Sequence, residues 1–226
     1  HSYRVISGLV DSVVLRDSKP GFVFDILPYM ASPLINAGDG EREHPTQALK
    51  DYYTLMRLFG SIDGLRVTFM GDIKYSRVVH SLSLLLSLFD TEINLVAPNY
   101  LRAPQEMIDI LRQRNVRIKE FQTLEEMDEM GEGPGDVTYV TRLQTERVTD
   151  SAVRANLNHI YRDHFILSSK WIERHPGTKI MHPLPIGGGE IPSELDFHPQ
   201  SYFFQESDNG RQTAAALMSL VLKGEL

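Results

Sequence analysis

The sequence predicts an α/β protein built on parallel sheets flanked by helices, and three observations carry that prediction. From residue 65 onward, strand-like and helix-like stretches alternate, the pattern that lays parallel strands in one sheet and helices on both of its faces. The turn-rich stretch Ser61-Ile62-Asp63-Gly64 reads as a joint between this region and a shorter first one, so two domains are expected. The 226 residues are 42% hydrophobic and 23% charged, an ordinary globular balance that can bury one large core or two modest ones.

In the first region, residues 3–9 and Ser12-Val13-Val14-Leu15-Arg16 put Arg16 at the end of a short apolar run that reads as a buried strand. Residues 21–29 read as a helix, and residues 33–38 as a strand entering the Gly38-Asp39-Gly40 turn. Pro45 suits a first helical position: its fixed φ fits the helix, and the N–H it lacks would be unpaired there anyway. The helix it opens runs to Phe59, with Leu49, Tyr52, Tyr53, Met56 and Phe59 at three-to-four spacing as its buried face, and Gly60 ends it. Beyond the joint, strands are expected at 65–70, 92–97, 116–120, 136–140 and 178–181, and helices at 77–89, 104–114, 124–130 and 165–174. The strands ending near Met70, Ala97, Val140 and Met181 are expected at the sheet centre. Residues 213–222 read as a last, alanine- and leucine-rich helix that returns to the first region.

Composition narrows the function. The chain has no cysteine, which excludes disulfides and thiolate metal sites, suits a reducing compartment and predicts the cytoplasm. The longest apolar run, residues 82–89, is too short to span a bilayer and is broken by serine. A net charge of −7 argues against general nucleic-acid binding, so an anion site has to be made by a few converging arginines. The chain opens on His1 without an initiator methionine and reads as starting inside a larger protein.

Ligands of open parallel sheets bind beyond the carboxyl ends of the strands, so chemistry is expected in the residues following each strand. Gly71-Asp72-Ile73-Lys74-Tyr75-Ser76-Arg77 lacks the GxGxxG of a dinucleotide site. Thr141-Arg142-Leu143-Gln144-Thr145-Glu146-Arg147 follows another strand, and His182-Pro183-Leu184-Pro185 the last. Arg77 and Arg142, with Gln144 beside the latter, are candidates for holding a small dicarboxylate, because the guanidinium fork matches a carboxylate. Each arginine taken alone reads more readily as a surface ion pair with Asp72, Asp136 or Glu146. His44-Pro45-Thr46-Gln47 places a histidine and a glutamine at the positive end of a helix, a place to hold an anion or polarise a carbonyl; alone, it also reads as a capped surface helix. HExxH, G-x-S-x-G and P-loop motifs are absent.

In order, Val14-Leu15-Arg16, Asn36-Ala37-Gly38-Asp39-Gly40 with His44-Pro45-Thr46-Gln47, Gly71 to Ser81, the Thr141 to Arg147 run and His182-Pro183-Leu184-Pro185 resemble the aspartate/ornithine carbamoyltransferase family across essentially the whole chain. HPTQ and HPLP look like its aspartate branch. The resemblance implies a carbamoyl-phosphate-binding domain over residues 1–60, incomplete here, to which helix 211–224 returns, and an aspartate-binding domain over residues 61–207. It implies carbamoyl transfer from carbamoyl phosphate to L-aspartate, giving N-carbamoyl-L-aspartate and phosphate in pyrimidine biosynthesis, with no cofactor or metal. It further implies a homotrimer with shared active sites and regulatory or pathway-partner subunits. Carried over, Arg16 binds the phosphate and reaches the carbonyl oxygen, and His44 hydrogen-bonds that oxygen. Gln47 and the backbone of Pro183, Leu184 and Pro185 orient the carbamoyl NH₂, while Arg77, Arg142, Gln144 and Leu184 serve aspartate.

Three departures accompany the resemblance. The family's N-terminal Ser-Thr-Arg-Thr and lysine loops are not in this chain, Ile186-Gly187-Gly188-Gly189-Glu190 replaces an arginine and acidic stretch, and Ala214 stands where an arginine is usual. They predict impaired activity for this chain alone and keep two other readings open: a non-catalytic carbamoyltransferase-like subunit binding a partner or metabolite, and a carbamoyltransferase with a different acceptor amine.

Overall fold

The computed structural model describes residues 1–223. In the first region, α1 (Ser2–Ser7) precedes β1 (Val13–Asp17), α2 (Phe22–Ile26), β2 (Leu34–Asp39) and α3 (Pro45–Phe59), and β1 and β2 pair in parallel. The second region runs β3 (Arg66–Met70), α4 (Arg77–Leu86), β4 (Glu92–Val96), α5 (Gln105–Gln113), β5 (Arg117–Phe121), α6 (Leu124–Glu129), β6 (Val137–Val140), α7 (Ser151–His164), α8 (Ser169–Arg174) and β7 (Lys179–Met181). Its sheet is parallel throughout, in the order β5-β4-β3-β6-β7. A final helix, α9 (Phe203–Lys223), packs on α3. The expected α/β class with helix-flanked parallel sheets is what the chain adopts.

The strand order dictates where a cleft opens. From β3 the chain builds outward through β4 and β5, then jumps back to place β6 on β3's other side. Connections leaving β3 and β6 therefore diverge, and a crevice forms beyond their carboxyl ends. The strands alternate between two apolar layers: Val67, Phe69, Ile93, Leu95, Val137 and Tyr139 pack with Leu82 and Leu86 of α4, while Met70, Val96, Val140 and Ile180 pack with Leu157, Tyr161 and Trp171. Leu55 of α3 enters the first layer, so the joint at 61–64 separates segments that share a core.

Several expectations change. Residues 2–7 form α1 instead of extending a strand; Ser7 is buried and its Oγ accepts the Ala31 N–H at 2.9 Å. Strand β1 is only half-buried, because β2 is its one neighbour among the described residues and one face stays open. Helix α7 was not expected: only Leu157 and Tyr161 of its 14 residues are buried, too few to set a helical period, although Asp150 caps it by accepting the Ala152 N–H at 2.8 Å. Residues 165–168 are not helical; Phe165 and Leu167 are buried there, and α8 starts only at Ser169, capped by Ser168. Strand β7 lies at the edge of the sheet instead of its centre, covered by the segment around Ser201, which takes up its backbone on the open side. Of the helix expected at 211–224, Gly224 lies outside the described residues.

Helix α3 has the expected bounds and a different buried face. Tyr52, Met56 and Phe59 pack on the apolar layer, but Leu49 is exposed and Lys50, Asp51 and Thr54 are buried. Polar partners on α9 explain the inversion: Asn209 Nδ2 donates to Thr54 Oγ1 at 2.9 Å, and Lys50 Nζ lies 3.2 Å from Glu206 Oε1.

Gly71 links this fold to its crevice. It has φ +117°, and a Cβ there would lie 2.5 Å from the Thr141 carbonyl oxygen and 2.7 Å from its Oγ1. Gly71→Ala is expected to cost about 2–4 kcal/mol through combined backbone strain and overpacking, measured by urea unfolding. A loss below about 0.5 kcal/mol is the result that contradicts this close approach.

Candidate active site

The crevice at β3 and β6 is about 300 Å³, lined by Arg16, His44, Gln47, Ser76, Arg77, Thr141, Arg142, Gln144 and the His182 to Pro185 loop. Every residue singled out by sequence as a site residue reaches this one cleft: Arg16 from β1, His44 and Gln47 from the start of α3, Arg77 from the start of α4, Arg142 and Gln144 from the loop after β6, and Pro183, Leu184 and Pro185 from the loop after β7.

Local chemistry fixes each group. The His44 N–H donates to Ser81 Oγ at 2.7 Å, and the Ser81 hydroxyl donates to Glu43, tying the histidine's backbone to α4. Thr46 Oγ1 is 3.3 Å from His44 Nδ1; with the hydroxyl as donor, the ring proton sits on Nε2. Burial, then Arg77, Arg16 and Lys50, lower the His44 pKa from 6.5 to about 4, so the ring is neutral at pH 7. Its available role is hydrogen-bond donation from a neutral imidazole.

Arg77 crosses from α4 to the first region, donating from Nη1 to the Gly40 carbonyl at 3.0 Å. Its guanidinium lies flat against Gly38, where a Cβ would come within 2.8 Å of Nη1. Burial, Arg16 and Arg147 lower its pKa to about 10, which leaves it charged. Arg142 forks onto Glu146, with Nη1 to Oε2 at 3.2 Å, so the ion-pair reading of this arginine is realised while the residue also lines the cleft. Asp72 holds the walls together: Oδ1 accepts the Tyr75 N–H at 3.0 Å and Oδ2 the Gln144 N–H at 3.1 Å.

Sequence reasoning did not single out Arg147, although it ends the motif that carries Arg142. Its Nη1 meets Glu41 Oε2 at 3.1 Å and its Nη2 the Gly40 carbonyl at 3.3 Å. Arg16, Arg77, Arg142 and Arg147 thus converge on one opening, giving a local positive field in a chain of net charge −7. Also unanticipated was a buried polar layer beneath Gln47, made by Lys50, Asp51, Tyr139 and Glu206. Gln47 Nε2 donates to Asp51 Oδ1 at 2.9 Å and Glu206 Oε1 at 3.1 Å, and Tyr139 Oη donates to Asp51 Oδ2 at 2.9 Å. Burial raises the pKa of both carboxyls.

The loop after β7 is held from inside. The His182 N–H donates to Glu206 Oε2 at 3.0 Å, the Leu184 N–H donates to His182 Nδ1 at 2.9 Å, and His182 Nε2 donates to Glu190 Oε1 at 3.0 Å. Leu184 has φ 57°, a conformation that costs a branched side chain of this kind roughly 1–2 kcal/mol.

Residues 1–57 match the carbamoyl-P binding domain of aspartate/ornithine carbamoyltransferases, and residues 63–221 their Asp/Orn binding domain. The chain belongs to the aspartate/ornithine carbamoyltransferase family. Within it, the chain is 40% identical to an aspartate carbamoyltransferase catalytic subunit of Dichelobacter nodosus, covering 97% of this chain and 64% of that protein. It is 39% identical to the catalytic subunit of Methanocaldococcus jannaschii, covering 97% of this chain and 69% of that one. Among solved structures, the M. jannaschii catalytic subunit superposes with a TM-score of 0.86 at 38% identity, covering 99% of this chain and 70% of that chain. The Trypanosoma cruzi aspartate transcarbamoylase in complex with N-(phosphonacetyl)-L-aspartic acid gives 0.88 at 31% identity, covering 98% and 69%. The chain thus spans about two thirds of the length of these relatives.

The His182–Glu190 contact sets an acid-stability prediction. Burial by itself raises the Glu190 pKa, but hydrogen bonds from His182, Gly188 and Gly187 outweigh it and hold the carboxyl at about 2, below the usual 4.5. A depressed carboxyl stabilises the fold above its unfolded value, and that stability is lost as pH falls from about 4.5 toward 2. Its upper bound is roughly 3 kcal/mol. Glu190→Gln is expected to flatten the pH dependence of urea unfolding in that window while lowering stability at pH 7; an unchanged acid limb contradicts the assignment.

Proposed function

We propose that this chain carries the core of an aspartate carbamoyltransferase, moving the carbamoyl group from carbamoyl phosphate to the amino group of L-aspartate and releasing phosphate. The observation that carries the reading is the convergence of Arg16, His44, Gln47, Arg77, Arg142, Gln144 and the His182 to Pro185 loop on one cleft. Residues 1–60, with the returning part of α9 from residue 211 onward, supply the carbamoyl-phosphate side, and residues 61–207 the aspartate side. The relatives named as catalytic subunits support it.

In this reading the amine attacks the carbamoyl carbon, negative charge builds on the carbonyl oxygen, the carbon–oxygen bond to phosphate breaks, and the amine's proton leaves with the phosphate. His44, neutral and with its ring proton on Nε2, donates to that oxygen together with Arg16, which also takes the phosphate. Arg77, Arg142 and Gln144 hold the two aspartate carboxylates and so aim the amine. Positioning two reactants and presenting fixed donors to a developing oxyanion each supply several kcal/mol of barrier lowering. Pyrimidine biosynthesis, a cytoplasmic location, a homotrimer with shared sites, and regulatory or pathway-partner subunits follow as parts of the same proposal.

One observation favours a different acceptor amine as the second reading. A polar hollow of about 430 Å³, lined by Arg142, Asn158, Tyr161, Arg162, Gly187 and Glu190, adjoins the cleft through Arg142. Room beside a carboxylate-binding arginine suits an acceptor larger than aspartate.

A carbamoyl-aspartate assay on the full gene product, with a panel of acceptor amino acids, tests both readings. Turnover with aspartate is expected, turnover only with another amine supports the second, and none from folded protein sinks both. His44→Ala is expected to lower kcat by roughly 10²–10³, the scale for loss of one oxyanion donor. Arg142→Ala is expected to raise the KM for aspartate by about 10-fold or more with the KM for carbamoyl phosphate nearly unchanged, and Arg142→Lys not to restore it, because an ammonium lacks the fork. Because the His44 pKa is about 4, its ring resonances are expected to titrate near pH 4 by NMR; titration near 6.5 contradicts the neutral-donor role.

A further inference from the structure

We propose that Glu206, supported by Lys50 and Asp51, is a positioning residue that turns one wall of the cleft into a surface of hydrogen-bond acceptors, so that the site selects a phosphate donor bearing an NH₂ group. This rests on the carbamoyl-transfer reading and names a determinant of its donor specificity.

A glutamine amide can present either its oxygen or its NH₂, and the surrounding network decides which. Gln47 Nε2 lies 2.9 Å from Asp51 Oδ1 and 3.1 Å from Glu206 Oε1. Both neighbours are carboxyl oxygens, and one proton held between the two acids still leaves an acceptor facing the amide on each, so both N–H bonds of the amide point inward and Oε1 is left for the cleft. The other oxygen of the same Glu206 carboxylate accepts the His182 N–H at 3.0 Å. Leu184 spends its N–H on the His182 ring at 2.9 Å, and Pro183 and Pro185 have none. Every backbone donor from 182 to 185 is thereby consumed or missing, and what the loop has left to offer a ligand is carbonyl oxygen.

Glu206 is fully buried and serves both halves of this wall at once, on α3 and on the loop after β7. Lys50 Nζ, 3.2 Å from Glu206 Oε1, offsets the buried charge, and Asp51 completes the hold on Gln47. Acceptors facing inward fit the two hydrogens of a carbamoyl NH₂ and leave an acetyl methyl with unpaired oxygens against it. A site built to hydrogen-bond a group rejects the analogue that lacks it.

The test compares carbamoyl phosphate with acetyl phosphate by calorimetry on the full gene product and on Lys50→Met/Glu206→Leu, which removes one carboxyl and the ammonium together and leaves Asp51 with its donors Gln47 and Tyr139. The wild type is expected to bind carbamoyl phosphate at least about tenfold more tightly than acetyl phosphate. In the double variant that preference is expected to collapse, through weaker carbamoyl phosphate binding, while acetyl phosphate affinity stays within about twofold. A merely structural role weakens both ligands in parallel. Glu206→Gln keeps the side-chain volume with one acceptor oxygen and is expected to lose part of the preference even where the double variant fails to fold. Preference retained in either folded variant, or equal binding of the two phosphates by the wild type, overturns this inference alone. Binding of neither phosphate by the wild type overturns the carbamoyl-transfer reading and the inference with it.

Discussion

Two carboxylates and one ammonium taken out of water together impose the strongest constraint on this structure. Asp51, Glu206 and Lys50 are buried, and carboxylates in that position require donors on nearly every lone pair or a shared proton. The donors come from three places far apart in sequence: Gln47 and Lys50 on α3, Tyr139 in β6 and His182 after β7. Satisfying the cluster therefore brings α3, the sheet and α9 into one arrangement. Breaking one member leaves an uncompensated buried charge, whereas removing a charge pair together is often close to neutral. The interaction is thus better understood as specifying geometry at the cleft than as adding stability.

Above this layer the electrostatics change sign. Arg16, Arg77, Arg142 and Arg147 crowd one opening, and like charges at close range cost energy unless anions or carbonyls answer them. The Gly40 carbonyl takes both Arg77 and Arg147, Glu41 takes Arg147, and Glu146 takes Arg142. Arginines of the second region thereby grip a loop of the first, which fixes the cleft's width from two sides. The same positive field, together with burial, keeps His44 neutral. A histidine surrounded by guanidinium groups is a donor that does not compete with them for charge.

What could be read from sequence follows from how local each cause is. The bounds of α3 were legible because proline and glycine punctuate a chain within one turn, whereas its buried face was not. Lys50, Asp51 and Thr54 look like a solvated face until α9, some 150 residues later, brings Glu206 and Asn209 against them. Strand existence was legible from apolar runs, but β7 reads like a central strand since the segment at Ser201 buries its outer edge. Helix α7 was missed because most of it faces water. Residues carried by contiguous motifs do line one cleft, whereas Arg147, closing one of those motifs, reads as an ion-pair partner until Gly40 and Glu41 are placed beside it.

The run Ile186-Gly187-Gly188-Gly189-Glu190 illustrates how a departure in sequence acquires a physical sense. The N–H groups of Gly187 and Gly188 donate to the Glu190 carboxylate at 3.2 and 2.7 Å, and a Cβ on Gly188 would lie 3.2 Å from that carboxylate. Successive backbone N–H groups curled around an anion form a nest, and here the anion is the chain's own. The carboxylate so held accepts from His182 Nε2, which leaves Nδ1 free to accept the Leu184 N–H. Glu190 therefore sets the histidine tautomer, and the tautomer sets the loop. The glycines make a close turn around a carboxylate possible, and the wall they support is the one that Glu206 holds from the opposite side.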